Sequence, residues 1–185
     1  MKMNEISLHI IDIIQNSLSA GASIIRVIID ECLSENLLSV TIVDNGKGMT
    51  QEQVERLDDP FFTSRTTRRV GMGIPLFRQS AEQSGGDLLV TSEPGVGTTV
   101  QARFLNDHID RPPLGDIANT MVLMISANPE KDFVFEYIYN SQSYVFDTVE
   151  VKAVLEELPL NDPAVIRMLT EMIAENIRDL KTQSD

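Results

Sequence analysis

Asp44-Asn45-Gly46-Lys47-Gly48-Met49 follows directly on Leu37 to Val43, an apolar run that reads as a strand. An acid and two closely spaced glycines at a strand end make a loop whose backbone can press against a flat ligand, because glycine has no Cβ to hold it away. Many acidic glycine loops are only turns, so the neighbours decide the reading. Upstream lies a helical segment carrying Asp12 and Asn16. Downstream come Asp59-Pro60-Phe61-Phe62-Thr63, then Gly71-Met72-Gly73, then Gly95-Val96-Gly97-Thr98. Elements in this order around a strand-end loop form a constellation rather than an isolated turn.

The chain has 185 residues, enough for one domain or one domain with a small appendage. Hydrophobic residues make up 42%, an ordinary share for a globular core, and with no Trp and few aromatics Ile, Leu, Val and Met must fill it. Net charge is -13 and is unevenly spread. Residues 1–105 hold 13 acids against 9 bases, a net of -4, and residues 106–185 hold 15 against 6, a net of -9. This field argues against a nucleic-acid partner and against an anionic membrane. Cys32 is the single cysteine, which excludes an internal disulfide and fits a reducing compartment. The N-terminus carries no signal-peptide core, and no run approaches the ~18 apolar residues that would span a bilayer. The expectation is a soluble cytoplasmic protein.

Over residues 4–20 Leu8, Ile11, Ile14 and Leu18 recur at helical spacing, widened by Ile10 and Ile13. On the same helix Glu5, His9, Asp12 and Asn16 fall on a polar stripe. Ile24 to Asp30 and Leu37 to Val43 predict a hairpin. Thr50-Gln51-Glu52-Gln53 has the form of a capping box and predicts a short helix. Residues 58–72 read as irregular. A helix from about Ile74 to Ser84 follows, then strands Leu88 to Thr91 and Thr99 to Leu105 around a glycine-rich turn. After a linker over 108–113 come a helix over about 115–127, a hairpin over 133–147, and helices over about 149–158 and 163–181. The pattern predicts an α+β chain. Residues 1–105 place helices on one face of a mixed or antiparallel sheet, and residues 106–185 form a small α+β C-terminal extension.

In this order the motifs resemble the superfamily of gyrase, heat-shock chaperone, histidine kinase and mismatch-repair (GHKL) ATPases, over about residues 5–105. Asp59-Pro60-Phe61-Phe62-Thr63 followed by Gly71-Met72-Gly73 is most similar to the ATP-binding domain of sensor histidine kinases. Ile14-Gln15-Asn16-Ser17-Leu18-Ser19-Ala20-Gly21-Ala22 is more similar to the mismatch-repair branch. The resemblance implies a two-layer α/β sandwich of the Bergerat type that binds ATP and Mg between its helical layer and a lid.

It also implies roles for particular residues. Asn16 becomes the ligand of nucleotide-bound Mg, an amide oxygen suited to a hard cation that keeps waters and phosphate oxygens. Asp44 becomes the acceptor for the adenine amino group, a task that suits an acceptor-only carboxylate. Gly46 and Gly48 let the loop approach the base, and Met49 packs on the base or in the core. Phe61, Thr63, Gly71, Met72, Gly73 and Ile74 join the ATP site, with backbone N–H groups at the helix start facing the phosphates. Arg65, Arg68 and Arg69 fall in the lid, where guanidinium groups grip phosphate oxygens. Gly97 and Thr98 fall in the last box, beside the adenine. Asp12 stands where hydrolytic branches carry a Glu that activates water. One methylene shorter, it reads as a base, as a group ordering Mg-bound water, or as a solvated residue. His9, one turn earlier, is expected to contact Asp12 or the phosphate region, the alternative being a solvated helix face.

A dimerisation segment with a phospho-accepting His has no place before the first helix of this sequence, so histidine autophosphorylation in the usual arrangement is not expected. ATP domains standing alone resemble anti-sigma serine kinases and split histidine kinases. The expectation is an ATP-dependent protein kinase or regulatory ATPase acting on a separate partner protein. The alternative is a non-catalytic ATP-gated binding module. In the last helix Val165, Leu169, Met172, Ile173, Ile177 and Leu180 share one face, expected to pack on the ATP domain, with a docking or homodimer surface as the other reading.

Overall fold

The computed structural model describes residues 5–58 and 73–183. The two β-branched runs form a hairpin, β1 (Ile24–Cys32) and β2 (Leu37–Asp44), paired antiparallel with Ile25 opposite Asp44. Strand alternation sorts the side chains. Ile25, Val27 and Ile29 of β1 and Leu38, Val40 and Ile42 of β2 are buried, while the residues between them face outward. β3 (Asp87–Glu93) and β4 (Gly97–Leu105) extend the sheet beyond β2, with Asp44 opposite Thr98. That register brings two of the expected binding residues to one end of the sheet.

Three helices of the N-terminal portion follow the sequence reading closely. α1 spans Ile6–Ser19, α2 spans Gln51–Glu55 and α3 spans Gly73–Gln83. The capping box forms: Gln53 N–H donates to Thr50 Oγ1 at 3.3 Å and Thr50 N–H donates to Gln53 Oε1 at 2.9 Å.

The face of α1 differs from the sequence reading. Ile6, Ile10, Ile13 and Ile14 are buried together with Ser7, His9 and Ser17, while Leu8 is exposed. The sequence puts Leu8 on the buried stripe and His9 on the polar one, and both are reversed. Apolar residues surround most of this helix, so spacing alone does not fix which side meets the sheet.

Residues beyond 105 do not build a core of their own. After α4 (Ile117–Ala127), β5 (Asp132–Tyr139) runs parallel to β1, and β6 (Gln142–Asp147) pairs antiparallel with β5. The result is one six-stranded sheet in the order β3-β4-β2-β1-β5-β6. Phe133, Phe135 and Tyr137 of β5 join the same buried cluster as Val27 and Ile42. α1, α3, α4 and α6 (Pro163–Gln183) cover one face of the sheet, and α6 lies beside α4. The other face carries charged residues in cross-strand pairs, Arg26 with Glu136 and Arg103 with Asp87. This is the two-layer α/β sandwich that the sequence predicts, with its sheet extended by the C-terminal hairpin.

α5 (Thr148–Leu155) stops short of the sequence expectation, and the next residue, Glu156, turns the chain with φ 54°. Among the described residues no helix is long and apolar enough to cross a membrane.

Candidate nucleotide-binding site

The strand-end loop is fixed from three sides. Lys47 N–H donates to the Ala20 carbonyl at the end of α1 at 2.9 Å, and Gly95 N–H donates to the Lys47 carbonyl at 2.7 Å. Met49 N–H donates to Ser92 Oγ at 2.8 Å, and that hydroxyl donates to the Gly97 carbonyl at 2.9 Å. Thr98 Oγ1 stands 2.8 Å from the same Ser92 oxygen. Two glycines are required by contact as well as conformation. Gly48 has φ +66°, and a Cβ there would meet the Glu93 carbonyl oxygen at 1.9 Å. Gly97 has φ +143°, and a Cβ there would meet the Asp44 carbonyl oxygen at 1.9 Å. No L side chain fits either place without moving the backbone.

Asp44 is held by both of its oxygens. Gly46 N–H donates to Oδ1 at 2.9 Å, and the buried Ser17 hydroxyl donates to Oδ2 at 2.6 Å. A carboxylate offers about four lone-pair sites, so an anchored Asp44 keeps acceptor capacity for a ligand donor. Ser17 is a residue the sequence reading missed. Its only signal is its place one step after Asn16 on a helix that passes under the strand-end loop.

Beside Asp44 opens a cavity of about 350 Å³. Asn16, Ser17, Asp44, Gly48 and Thr98 supply polar or backbone lining, and Ile13, Met49, Leu57, Ile74 and Val100 supply apolar walls. Few polar groups set in apolar walls is the make-up of small-molecule sites, and the volume falls in their range of about 300–1,000 Å³. Lys47 and Gln53 also line it, and the sequence reading did not single them out.

At the other end of the cavity, Gly73 opens α3 against α1. A Cβ on Gly73 would meet Asp12 Cβ at 3.3 Å, Asn16 Nδ2 at 3.6 Å and Asp12 Oδ2 at 3.7 Å. The first N–H groups of a helix have no partner within it and favour anionic ligands. Asn16 thus sits between the carboxylate end and the helix-start end, and its amide makes no hydrogen bond among the described residues. Asp12 is half-buried beside Gly73, and burial pushes its carboxyl above the usual carboxylate range.

The expected residues divide accordingly. Asn16, Asp44, Gly48, Met49, Gly73, Ile74 and Thr98 line one cavity. Gly46 and Gly97 shape the loop, and Asp12 abuts Gly73 without lining the cavity. Phe61, Thr63, Arg65, Arg68, Arg69, Gly71 and Met72 lie outside the described residues.

His9 does not take the place expected of it. It is 1% exposed and stacks on Phe77 of α3, with ring centroids 4.8 Å apart and planes 12° from parallel. Neither ring nitrogen has a hydrogen-bond partner among the described residues. There is no bond to Asp12, because the imidazole points into the α1–α3 interface. Desolvation lowers its pKa from 6.5 to about 4.

A two-layer sandwich whose cavity runs from a carboxylate to a helix start has the make-up of a small-molecule site that can take an anionic group. Residues 3–108, more than half of the chain, match the Histidine kinase-, DNA gyrase B-, and HSP90-like ATPase family, and the chain belongs to it. The matched residues form an ATP-binding domain of the histidine kinase-like kind. Sporulation kinase E of Bacillus subtilis (strain 168) is 30% identical over 98 residues, which cover 51% of this chain and 13% of that protein. Sensor histidine kinase ZraS of Klebsiella oxytoca is 34% identical over 74 residues, 40% of this chain and 16% of that protein. The chain thus corresponds to a small part of the length of these relatives. The crystal structure of the N terminal domain of a DNA repair protein superposes with a TM-score of 0.54 at 16% identity. That match covers 78% of this chain and 52% of the other, and it supports the sandwich fold.

Proposed function

We propose that the cavity binds Mg-ATP and that the protein is an ATP-dependent protein kinase or regulatory ATPase acting on a separate partner protein. One observation carries this reading. A single cavity joins an anchored carboxylate, Asp44, to a helix start, Gly73, with Asn16 between them.

The residues fit the nucleotide. Asp44 keeps an acceptor for the adenine amino group, while Met49 and Val100 wall the base. Gly73 lets the first turn of α3 come close to the phosphates. Asn16 suits a Mg ion that is carried largely by phosphate oxygens and water. Among the described residues no three acidic, His or Cys side chains converge, so a metal held here would come with the nucleotide. The bound ion would supply charge neutralisation for the phosphates. In the kinase reading, a nucleophilic side chain of the partner bonds to the γ-phosphorus and releases its proton to solvent, the bond from that phosphorus to the β–γ bridging oxygen breaks, and ADP leaves with the electron pair.

Asp12 favours a second reading, slow hydrolysis. It abuts Gly73, and a carboxylate that holds protons more strongly than usual is a better general base.

Calorimetry tests the site. Asp44→Ala should abolish ATP binding, and Asn16→Ala should abolish its Mg dependence; unchanged affinity in both would refute the assignment. Incubation with γ-labelled ATP and host lysate then separates the activities. Label on a lysate protein supports the kinase. Free labelled phosphate that is lost in Asp12→Asn supports hydrolysis. Binding without transfer or release identifies an ATP-gated binding module.

A further inference from the structure

α5 is anchored by polar contacts that face inward. Val149 N–H donates to Asp147 Oδ1 at 2.8 Å, and Phe133 N–H donates to Thr148 Oγ1 at 2.8 Å. Lys152 Nζ donates to the Lys131 carbonyl and to Asp132 Oδ1, both at 2.8 Å. Thr148 is the one buried residue of the helix. Val151 and Leu155 pack partly against the core, and the other large apolar side chains of this stretch face water. Val149 is 54% exposed, Val154 is 82% exposed, and Leu158 in the following turn is 57% exposed.

Acids surround them. Glu150, Glu156 and Glu157 are exposed, and the single cation of this stretch, Lys152, is occupied by Asp132. Glu156 holds φ 54° and ψ -104°, a backbone region that L residues rarely adopt. Such strain clusters where a surface must hold a fixed shape for a ligand. A second copy of this chain is a poor occupant, since acid would meet acid on a protein of net charge -13.

We propose that residues 149–158 form a docking surface for a partner-protein segment that mixes apolar side chains with lysine or arginine. Charge complementarity selects the basic residues, and Val149, Val154 and Leu158 select the apolar ones. The inference goes beyond the nucleotide site and does not depend on it.

The test uses the full chain and two synthetic amphipathic peptides, one of leucine and lysine and one with glutamate in place of lysine. NMR titration should shift the amides of residues 149–158 with the lysine peptide and not with the glutamate peptide. Calorimetry with V154S/L158S, and separately with E156Q/E157Q, should show binding weakened about tenfold or more. All four substitutions are at the surface, so thermal midpoints should stay near that of the parent. The proposal is overturned by absence of binding, by shifts elsewhere on the acidic surface, or by variants that bind as the parent does. It is equally overturned if sedimentation shows a parent dimer that V154S/L158S converts to monomer, since the occupant is then a second copy.

Discussion

His9 gives this fold an acid-sensitive joint between α1 and α3. The imidazole is buried against Phe77 with both nitrogens unpartnered among the described residues, so its charged form finds no compensation there. Its pKa falls from 6.5 to about 4 on folding. Above pH 6.5 both states carry a neutral ring and His9 contributes no pH dependence. Between 6.5 and 4 the unfolded chain binds a proton that the folded chain refuses, so stability falls as pH drops; below 4 the loss is complete. At about 1.4 kcal/mol for each tenfold change in proton affinity, the full loss is about 3 to 4 kcal/mol, most of it reached by pH 4.5. Carboxylates titrate in the same window, so the assay compares variants rather than conditions alone. His9→Phe keeps a ring on Phe77 and removes the titrating group. Urea denaturation at pH 7.5 and pH 4.5 should show the difference in stability between His9→Phe and the parent moving by roughly 2 to 3 kcal/mol in favour of the variant at the lower pH. Any steric penalty of the larger ring applies at both pH values and cancels. Parallel pH profiles for the two proteins would refute the reasoning.

Three further outcomes are expected. Ser17→Ala removes the 2.6 Å bond to Asp44 Oδ2, and calorimetric ATP affinity should fall by roughly tenfold or more, as for hydrogen bonds to charged groups; an unchanged affinity would show that Gly46 alone orients the carboxylate. Gly97→Ala places a methyl 1.9 Å from the Asp44 carbonyl oxygen and should cost at least about 2 kcal/mol in urea denaturation. The neighbouring Gly95→Ala meets nothing within 4 Å, so only its left-handed backbone counts against it, about 1 kcal/mol. Lys181→Met strips Glu31 of the ammonium 2.8 Å away, while that largely buried carboxylate keeps its bond to the Tyr137 hydroxyl. The expected destabilisation is about 2 kcal/mol, below that of a fully buried pair because Lys181 is partly solvated, whereas Glu31→Gln should cost less.

Much of the site is legible in the order of residues. Asp44 ends a strand, Gly46 and Gly48 follow it, and the Gly95–Thr98 turn returns beside it. The first two are constraints within a few residues of each other, set by alternation, by φ and by the absence of Cβ, whereas the return of the turn depends on β2 pairing with β4. Asp12 and Asn16 are one turn apart on any helix, so their shared side needs no tertiary information. The capping box at Thr50 and Gln53 is equally local and forms as read.

What the sequence leaves open requires contacts between distant segments. Ile6, Leu8, Ile10, Ile11, Ile13 and Ile14 make α1 apolar around most of its circumference, so its rotation is decided by the sheet and by Phe77. That rotation buries His9 and exposes Leu8. It also aims Ser17 at Asp44, a hydrogen bond between residues 27 apart that no local pattern announces. How the segment beyond residue 105 joins the sheet is decided in the same way. β5 reads as half of an isolated hairpin, and only its parallel pairing with β1 shows that the C-terminal segment completes one sheet. The sequence by itself thus determines the elements and the glycine-dependent loop, because short-range geometry dictates them, and the order of its motifs carries the family resemblance. The tertiary structure alone decides which faces meet and which hydroxyl holds the carboxylate, because burial is settled by the whole core at once.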